Sequence, residues 1–243
     1  MTETALAIYK DFALISDQGI MGDMSPEEMD EMMEDIGNLP SSYARIKIPA
    51  GGALQFEIPN ADQPDNPDYA QELTGVILYH HPANAYWADA DSATGGTPPD
   101  CASSDGRTGV PAPDSGLPGG ACAECPLNVM GSGEGGRGKA CKNMHQIYIL
   151  RSGEIVPVVL SLPPTSLKAF GTFVRAAFLA RRQRTSAAVA SITLKRVESG
   201  GNKYSVAAFR VAGWLPQEQA EETKRMAQAL RATVRGEAAT PGA

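Results

Sequence analysis

The segments C-A-S-S-D-G (101–106), C-A-E-C-P (122–126) and G-K-A-C-K (138–142) hold all four cysteines of a 243-residue chain, in the spacing C-x20-C-x2-C-x15-C. Two thiolates from one tight C-x-x-C turn, joined by two that the chain brings in, suit a tetrahedral metal. Four thiolates also leave no open position for water, so the pattern predicts a closed, structural zinc site on Cys101, Cys122, Cys125 and Cys141. If His145 takes the place of Cys101, the set becomes C-x2-C-x15-C-x3-H, which zinc also accepts. An iron–sulfur cluster, disulfides and free thiols are the remaining readings. The chain opens with neither a basic n-region nor an apolar h-region, so the expectation is an intracellular protein with reduced thiols.

A metal has a structural purpose in this stretch. Residues 88–138 are rich in Gly and Pro and poor in large apolar side chains, so burial alone cannot offset the entropy of ordering them. Ligand binding can, because metal-binding free energy becomes folding free energy. Residues 88–145 therefore read as a zinc-clipped insertion, and Arg107, Arg137, Lys139 and Lys142 would make it a basic finger.

Charge is divided along the chain. The net charge is −7, yet residues 1–39 carry ten acids against one base, whereas residues 146–215 carry ten bases against two acids. Local charge steers a polyanion more than the total does. No apolar run approaches the length of a membrane span.

Outward from the cysteines, the spacing predicts a half-buried strand at 43–48 with Tyr43, Arg45 and Lys47 on one side, a second at 54–58, and a buried strand at 76–79 running into His80, His81 and Pro82. The two histidines read as a strand end. Downstream, 147–150 and 155–160 read as a hairpin with Pro157 marking an edge or bulge. A helix follows from 167 to about 182, with Lys168, Arg175 and Arg182 recurring every seven residues on its outer side beside Arg181 and Arg184. A closing hairpin at 188–197 and 204–211 gathers Lys195, Arg196, Lys203, Tyr204 and Arg210. A short helix at 4–15, an acidic Met-rich helix at 25–36, a final helix to about 235 and a disordered tail from 236 complete the reading. The domains expected are an acidic helical arm (1–39), an OB-like domain with the zinc-binding insertion (40–215), and a C-terminal helix with its tail (216–243). The fold class expected is α+β and β-rich: an OB-like barrel with flanking N- and C-terminal helices.

No Walker A, G-x-S-x-G or H-E-x-x-H motif is present, and no acidic cluster has metal spacing. An enzyme, a metal-dependent nuclease included, is therefore unsupported. The segments R-I-K-I-P-A-G-G (45–52), Y-H-H-P-A-N-A-Y-W (79–87), C-A-S-S-D-G-R-T-G (101–109), C-A-E-C-P-L-N (122–128), G-R-G-K-A-C-K (136–142) and L-P-P-T-S-L-K-A-F (162–170) resemble a family from bacteriophages and integrated mobile elements. That family is similar in layout to phage single-stranded DNA-binding proteins of the zinc-containing OB-fold kind. The likeness covers roughly residues 43–235 and excludes the acidic arm.

The resemblance implies that the four cysteines are zinc ligands. It also implies a non-enzymatic protein bound to exposed single-stranded DNA during replication or recombination of the element, in the cytoplasm of a bacterial host. Partners would be single-stranded DNA, replication or recombination proteins recruited by the acidic arm, and a second copy of the chain. From the residues themselves, phosphates would meet Arg45, Lys47, Arg107, Lys139, Lys195, Arg196, Lys203 and Arg210. Bases would stack on Tyr43, Tyr86, Trp87, Tyr148 and Tyr204. The reading from another class is a zinc-stabilised protein-interaction or regulatory module with the acidic arm as its contact surface.

Overall fold

The computed structural model describes residues 8–14, 43–60, 62–63, 65–89 and 97–239. The expected helix at 25–36 and the acidic arm around it lie outside the described residues. Among the described residues the protein is a mixed α+β, sheet-rich structure with two α-helices. Its strands are β1 (Arg45–Ile46), β2 (Phe56–Ile58), β3 (Asp68–Ala70), β4 (Glu72–Tyr86), β5 (Cys101–Ser103), β6 (Thr108–Pro111), β7 (Gly120–Ala121), β8 (Lys142–Leu150), β9 (Val158–Leu162), β10 (Ala188–Ser199) and β11 (Asn202–Trp214). The helices are α1 (Pro164–Phe173) and α2 (Gln217–Ala239). A π-helical turn at Val174–Phe178 and a 3-10 turn at Leu179–Arg181 continue α1.

The fifteen-residue β4 is the spine. Along one edge it pairs antiparallel with β8 from Val76 to Ala85. Its other edge is shared: β10 takes Glu72 to Val76, and β5 takes Asn84 to Tyr86. The sequence predicts this strand at 76–79 with the histidines at its end, but the structure begins it at Glu72 and runs it through Pro82 to Tyr86. Pro82 falls between the end of β10 and the start of β5, on a stretch of edge where no partner needs its missing N–H.

A Y-shaped sheet results, with β1-β9-β8 on one side, β10-β11 on one fork and β5-β6-β7 on the other. The expected OB-like barrel does not close among the described strands. Between the 43–58 segment and the β10–β11 hairpin there is no strand ladder; Arg196 Nε donates to the Gly52 carbonyl at 2.7 Å and Ser205 Oγ to the Ala53 carbonyl at 2.5 Å. Because side chains rather than backbone make that seam, the sheet is curled and open.

Alternation along the strands gives two cores. One face packs Ile77, Ile147, Ile149, Leu160, Ile192 and Leu194 under Phe170, Phe173 and Phe178 of the α1 segment. The opposite face packs Val76, Leu78, Tyr148, Leu150, Val159 and Val189 against Leu230 and Val234 of α2 and against Phe12.

Around Phe12, residues 8–14 depart from the helix expected at 4–15. Ile8 bridges Trp214 in parallel, Tyr9 N–H donates to the Trp214 carbonyl at 2.9 Å, and Gly153 N–H donates to the Ala13 carbonyl at 2.8 Å. Long-range backbone partners and burial of Phe12 outweigh a weak local propensity. At the other end α2 continues to Ala239, beyond the expected boundary at 235.

The α1 segment runs alongside β11. Near its start, Ser166 is fully buried and its Oγ accepts the Ala207 N–H at 3.0 Å; further on, Phe170 and Phe173 meet Phe209, and Phe178 meets Trp214. Ser166→Ala removes the acceptor and leaves a buried N–H without a partner. It is expected to lower the unfolding free energy by about 1–3 kcal/mol in urea titration.

Candidate metal centre and basic face

The C-A-S-S-D-G segment folds back over the shared edge of β4. Asp105 Oδ1 accepts from Arg107 N–H (2.7 Å), Thr108 N–H (2.8 Å) and Ser103 Oγ (2.9 Å). Partial burial pushes the Asp105 carboxyl up, but the bonds from Thr108, Arg107 and Ser103 outweigh it and hold the group below its ordinary value. Asn84 Nδ2 donates to the Gly106 carbonyl at 3.1 Å, and a Cβ at Gly106 would lie 2.8 Å from Pro82 Cβ. The turn is thereby seated on the sheet, at the position where β4 lacks a partner strand.

Each cysteine is placed by a separate piece of backbone. Cys101 opens β5 opposite Tyr86. The Cys122 N–H donates to the Arg107 carbonyl at 2.7 Å, and the Cys125 carbonyl accepts from Asn128 N–H at 2.9 Å. The Cys141 N–H donates to the Leu127 carbonyl at 2.8 Å. All four thiols are free of disulfides and line one cavity of about 420 Å³ with Tyr86, Leu117 and Leu127. Burial, and then the neighbouring thiols, push Cys141 up to about 11, with Lys139 opposing. Burial and then Cys122 and Cys125 also raise Cys101.

The zinc expectation can be tested against this arrangement. The chemistry of the donors suits zinc, but the geometry does not: among the described residues no group of three or more His, Cys, Asp or Glu side chains is arranged to hold a metal ion. A zinc–thiolate bond of about 2.3 Å requires four sulfurs drawn around a single point. Here all four line one cavity, and Cys101 Sγ and Cys122 Sγ both lie within 4 Å of the position a Cβ would take at Gly109.

His145 is not part of that wall. It lies on β8 opposite Pro82, and its Nε2 shares a 2.9 Å hydrogen bond with His80 Nδ1, both rings packing on Phe170. His81 points to the other face, where its Nε2 is 3.3 Å from the Tyr148 hydroxyl. The sequence offers no signal for the His80–His145 pair, because 65 residues separate them and only the β4–β8 register brings them together.

Burial, followed by the charge of neighbouring histidines, lowers His80 and takes His145 down to about 4. An unfolded histidine titrates near 6.5, so the unfolded chain takes up protons first as pH falls. The stability contributed by the pair is complete above about pH 6.5 and is lost progressively toward about pH 4. The expected loss between pH 7.5 and pH 4.5 is about 1–2 kcal/mol, discounted because the rings are partly exposed. Urea midpoints at the two pH values measure it, and His145→Gln is expected to flatten the difference.

The expected nucleic-acid residues divide between places. Arg45 on β1 and Lys47, which bridges Glu57 just after it, are exposed. Lys195 and Arg210 are exposed on β10 and β11, four and five strands along the sheet order from β1. Arg210 is also paired with Glu72 at 2.8 Å. Tyr204 is half-buried opposite Val197.

Tyr148 requires a correction. It is 5 % exposed and packs among Tyr43, Tyr79 and His81, so it has no open face for a base. Tyr43 stands edge-on to it with ring centroids 5.3 Å apart. Tyr86 and Trp87 are half-buried beside the cysteine module, with Trp87 Nε1 donating to the Thr97 carbonyl at 2.9 Å. Lys139 Nζ donates to Asn128 Oδ1 at 3.1 Å, and the Arg107 side chain is exposed.

No family model, curated protein or solved structure matches the chain. Its function must therefore be read from its own residues.

What the fold does bring together is a second set of cations. The α1 segment follows β11, so Arg196 and Lys203 at the hairpin end lie beyond its start, on the side of the sheet that α1 covers. From there Lys168, Arg175, Arg181, Arg182 and Arg184 follow in order, all exposed. The series extends roughly 25 Å along the helix. Among the described residues none of these seven makes an ion pair. Arg182 adopts a left-handed backbone (φ 53°), the only residue besides glycines with positive φ among those described. The Arg182 N–H closes on the Leu179 carbonyl and the Gln183 N–H on the Phe178 carbonyl. Glycine is the relaxed choice at such a helix end; arginine keeps a cation there at some conformational cost.

Proposed function

We propose that the protein is a non-enzymatic single-stranded DNA-binding protein whose strand follows the basic ridge of the α1 segment and the β10–β11 hairpin. The observation that carries this reading is the row of seven exposed cations without ion pairs among the described residues, extending from Lys203 and Arg196 past Lys168 to Arg184. A solvated helix face needs no such sign bias, and a flexible polyanion gains from each phosphate contact through counterion release. The strained arginine at the helix end fits the same purpose. In this reading the curled sheet with α1 is an opened OB-like core, and the cysteine module stiffens its far end beside Tyr86 and Trp87. Action in replication or recombination of a phage or mobile element belongs to the same proposal.

Labelled oligo-dT is expected to bind in low salt, with fluorescence anisotropy falling as salt rises. Absence of binding to either DNA or RNA at low salt would end the reading. Equal affinity for double-stranded DNA would remove its single-strand part.

A further inference from the structure

We infer that the basic ridge grips the sugar–phosphate chain of its ligand alone, and that the bases contribute nothing to affinity. The inference rests on the nucleic-acid reading and narrows it. An unpaired base is held by stacking on an exposed ring, and each such stack is worth roughly fivefold or more in affinity. The chain has seven tyrosines, six phenylalanines and two tryptophans, all of them among the described residues. None of these rings is exposed along the ridge. Phe170, Phe173 and Phe178 turn inward from the α1 segment, and Phe209 and Trp214 pack on them from β11. Tyr204 alternates with Lys203 and Ser205 along β11, which puts it on the opposite face of the sheet from Lys203 and Arg196. Tyr86 and Trp87 belong to the cysteine fork, and the remaining rings but one pack in the two cores.

The exception is Tyr69, 57 % exposed on β3. Its surroundings repel a polyanion: Glu57 is its direct partner across the β2–β3 ladder, and Asp62, Asp65 and Asp68 belong to the same hairpin, against Arg45 and Lys47 on the adjoining segment. The ridge itself offers cations separated by small or polar side chains. Thr172, Ala176, Ala180 and Gln183 are exposed between Lys168 and Arg184, and Leu179, the one exposed large apolar side chain of the α1 segment, has no π-face. Phosphates can be neutralised along such a course, whereas a base finds no platform. Preference for a single strand then comes from flexibility, since an unpaired chain can bend its phosphates to cations that the helix holds in place.

The test uses the full chain and two end-labelled probes of equal length in low salt: oligo-dT, and an abasic strand in which only the sugar–phosphate chain remains. Fluorescence anisotropy is expected to give affinities within about fivefold of each other and the same slope of log K against log salt. Lys168→Gln, Arg175→Gln and Lys203→Gln together are expected to weaken both probes by the same factor. Tyr69→Ala is expected to change neither affinity by as much as about fivefold, the least that one lost stack would cost. An abasic strand that binds more than about fivefold more weakly than oligo-dT would overturn the inference, as would a loss of that size for Tyr69→Ala. So would abasic binding that ignores the triple variant. Oligo-dT binding without abasic binding sinks the inference and leaves the nucleic-acid reading standing; no binding of either probe sinks both.

Discussion

Gly75→Ala is expected to lower the unfolding free energy by about 3 kcal/mol, the upper end of what overpacking usually costs. Gly75 lies on β4 between β10 on one edge and β8 on the other, opposite Ala190. A Cβ there would sit 2.5 Å from Ile149 Cγ2 and 2.5 Å from the Leu150 carbonyl oxygen. The first atom belongs to a fully buried side chain in a packed core, and the second is backbone of the adjoining strand; neither can yield cheaply. A loss of that size is a large fraction of the total stability of an ordinary domain. Gly171→Ala is the internal comparison. That glycine lies in α1 with nothing within 4 Å of the added Cβ, so alanine there is expected to stabilise by about 0.5–1 kcal/mol. Urea titration of both variants measures the contrast. A Gly75→Ala variant as stable as the parent would mean that the β4–β8 packing described above is wrong.

The second large effect concerns the basic ridge. Neutralising Lys168, Arg175 and Lys203 together, each by Gln, is expected to weaken oligo-dT binding roughly 100-fold or more at 50 mM salt. The slope of log K against log salt should also become shallower by about 2, at about 0.7 per lost phosphate contact on a single strand. All three side chains are exposed and none makes an ion pair among the described residues, so the folded state should lose within about 0.5 kcal/mol. Arg45→Gln with Lys47→Gln, on and beside β1, is expected to change affinity by less than a few fold. If that pair matters as much as the ridge, the path of the strand is the one expected from the sequence and not the one along α1.

Several features of this architecture are legible in the chain before any folding is considered. The alternation at 43–48 and 54–58 marks inward and outward faces, because a strand repeats every two residues. Pro163 and Pro164 ahead of an apolar period of 3.6 mark the start of α1, and the seven-residue recurrence of Lys168, Arg175 and Arg182 already shows a basic helix side. The four cysteines declare a shared site through composition and spacing alone. These are local properties, written in neighbouring residues and in the short-range sterics of the backbone.

Register and closure were decided only by the tertiary structure. Whether Arg45 and Arg210 meet depends on how many strands separate β1 from β11 and whether the sheet closes, which no single segment encodes. Tyr148 shows the limit well: an aromatic at a strand position is a stacking ring or a core ring according to what packs on its face, and here Tyr43, Tyr79 and His81 do. The His80–His145 pair exists only because β8 runs back along β4 in one register. Likewise, spacing suggests which thiols belong together, whereas the folded backbone brings all four to the wall of one cavity. Local sequence determines what each element is and which side of it is apolar; the cooperative packing of distant elements determines which of those sides face one another.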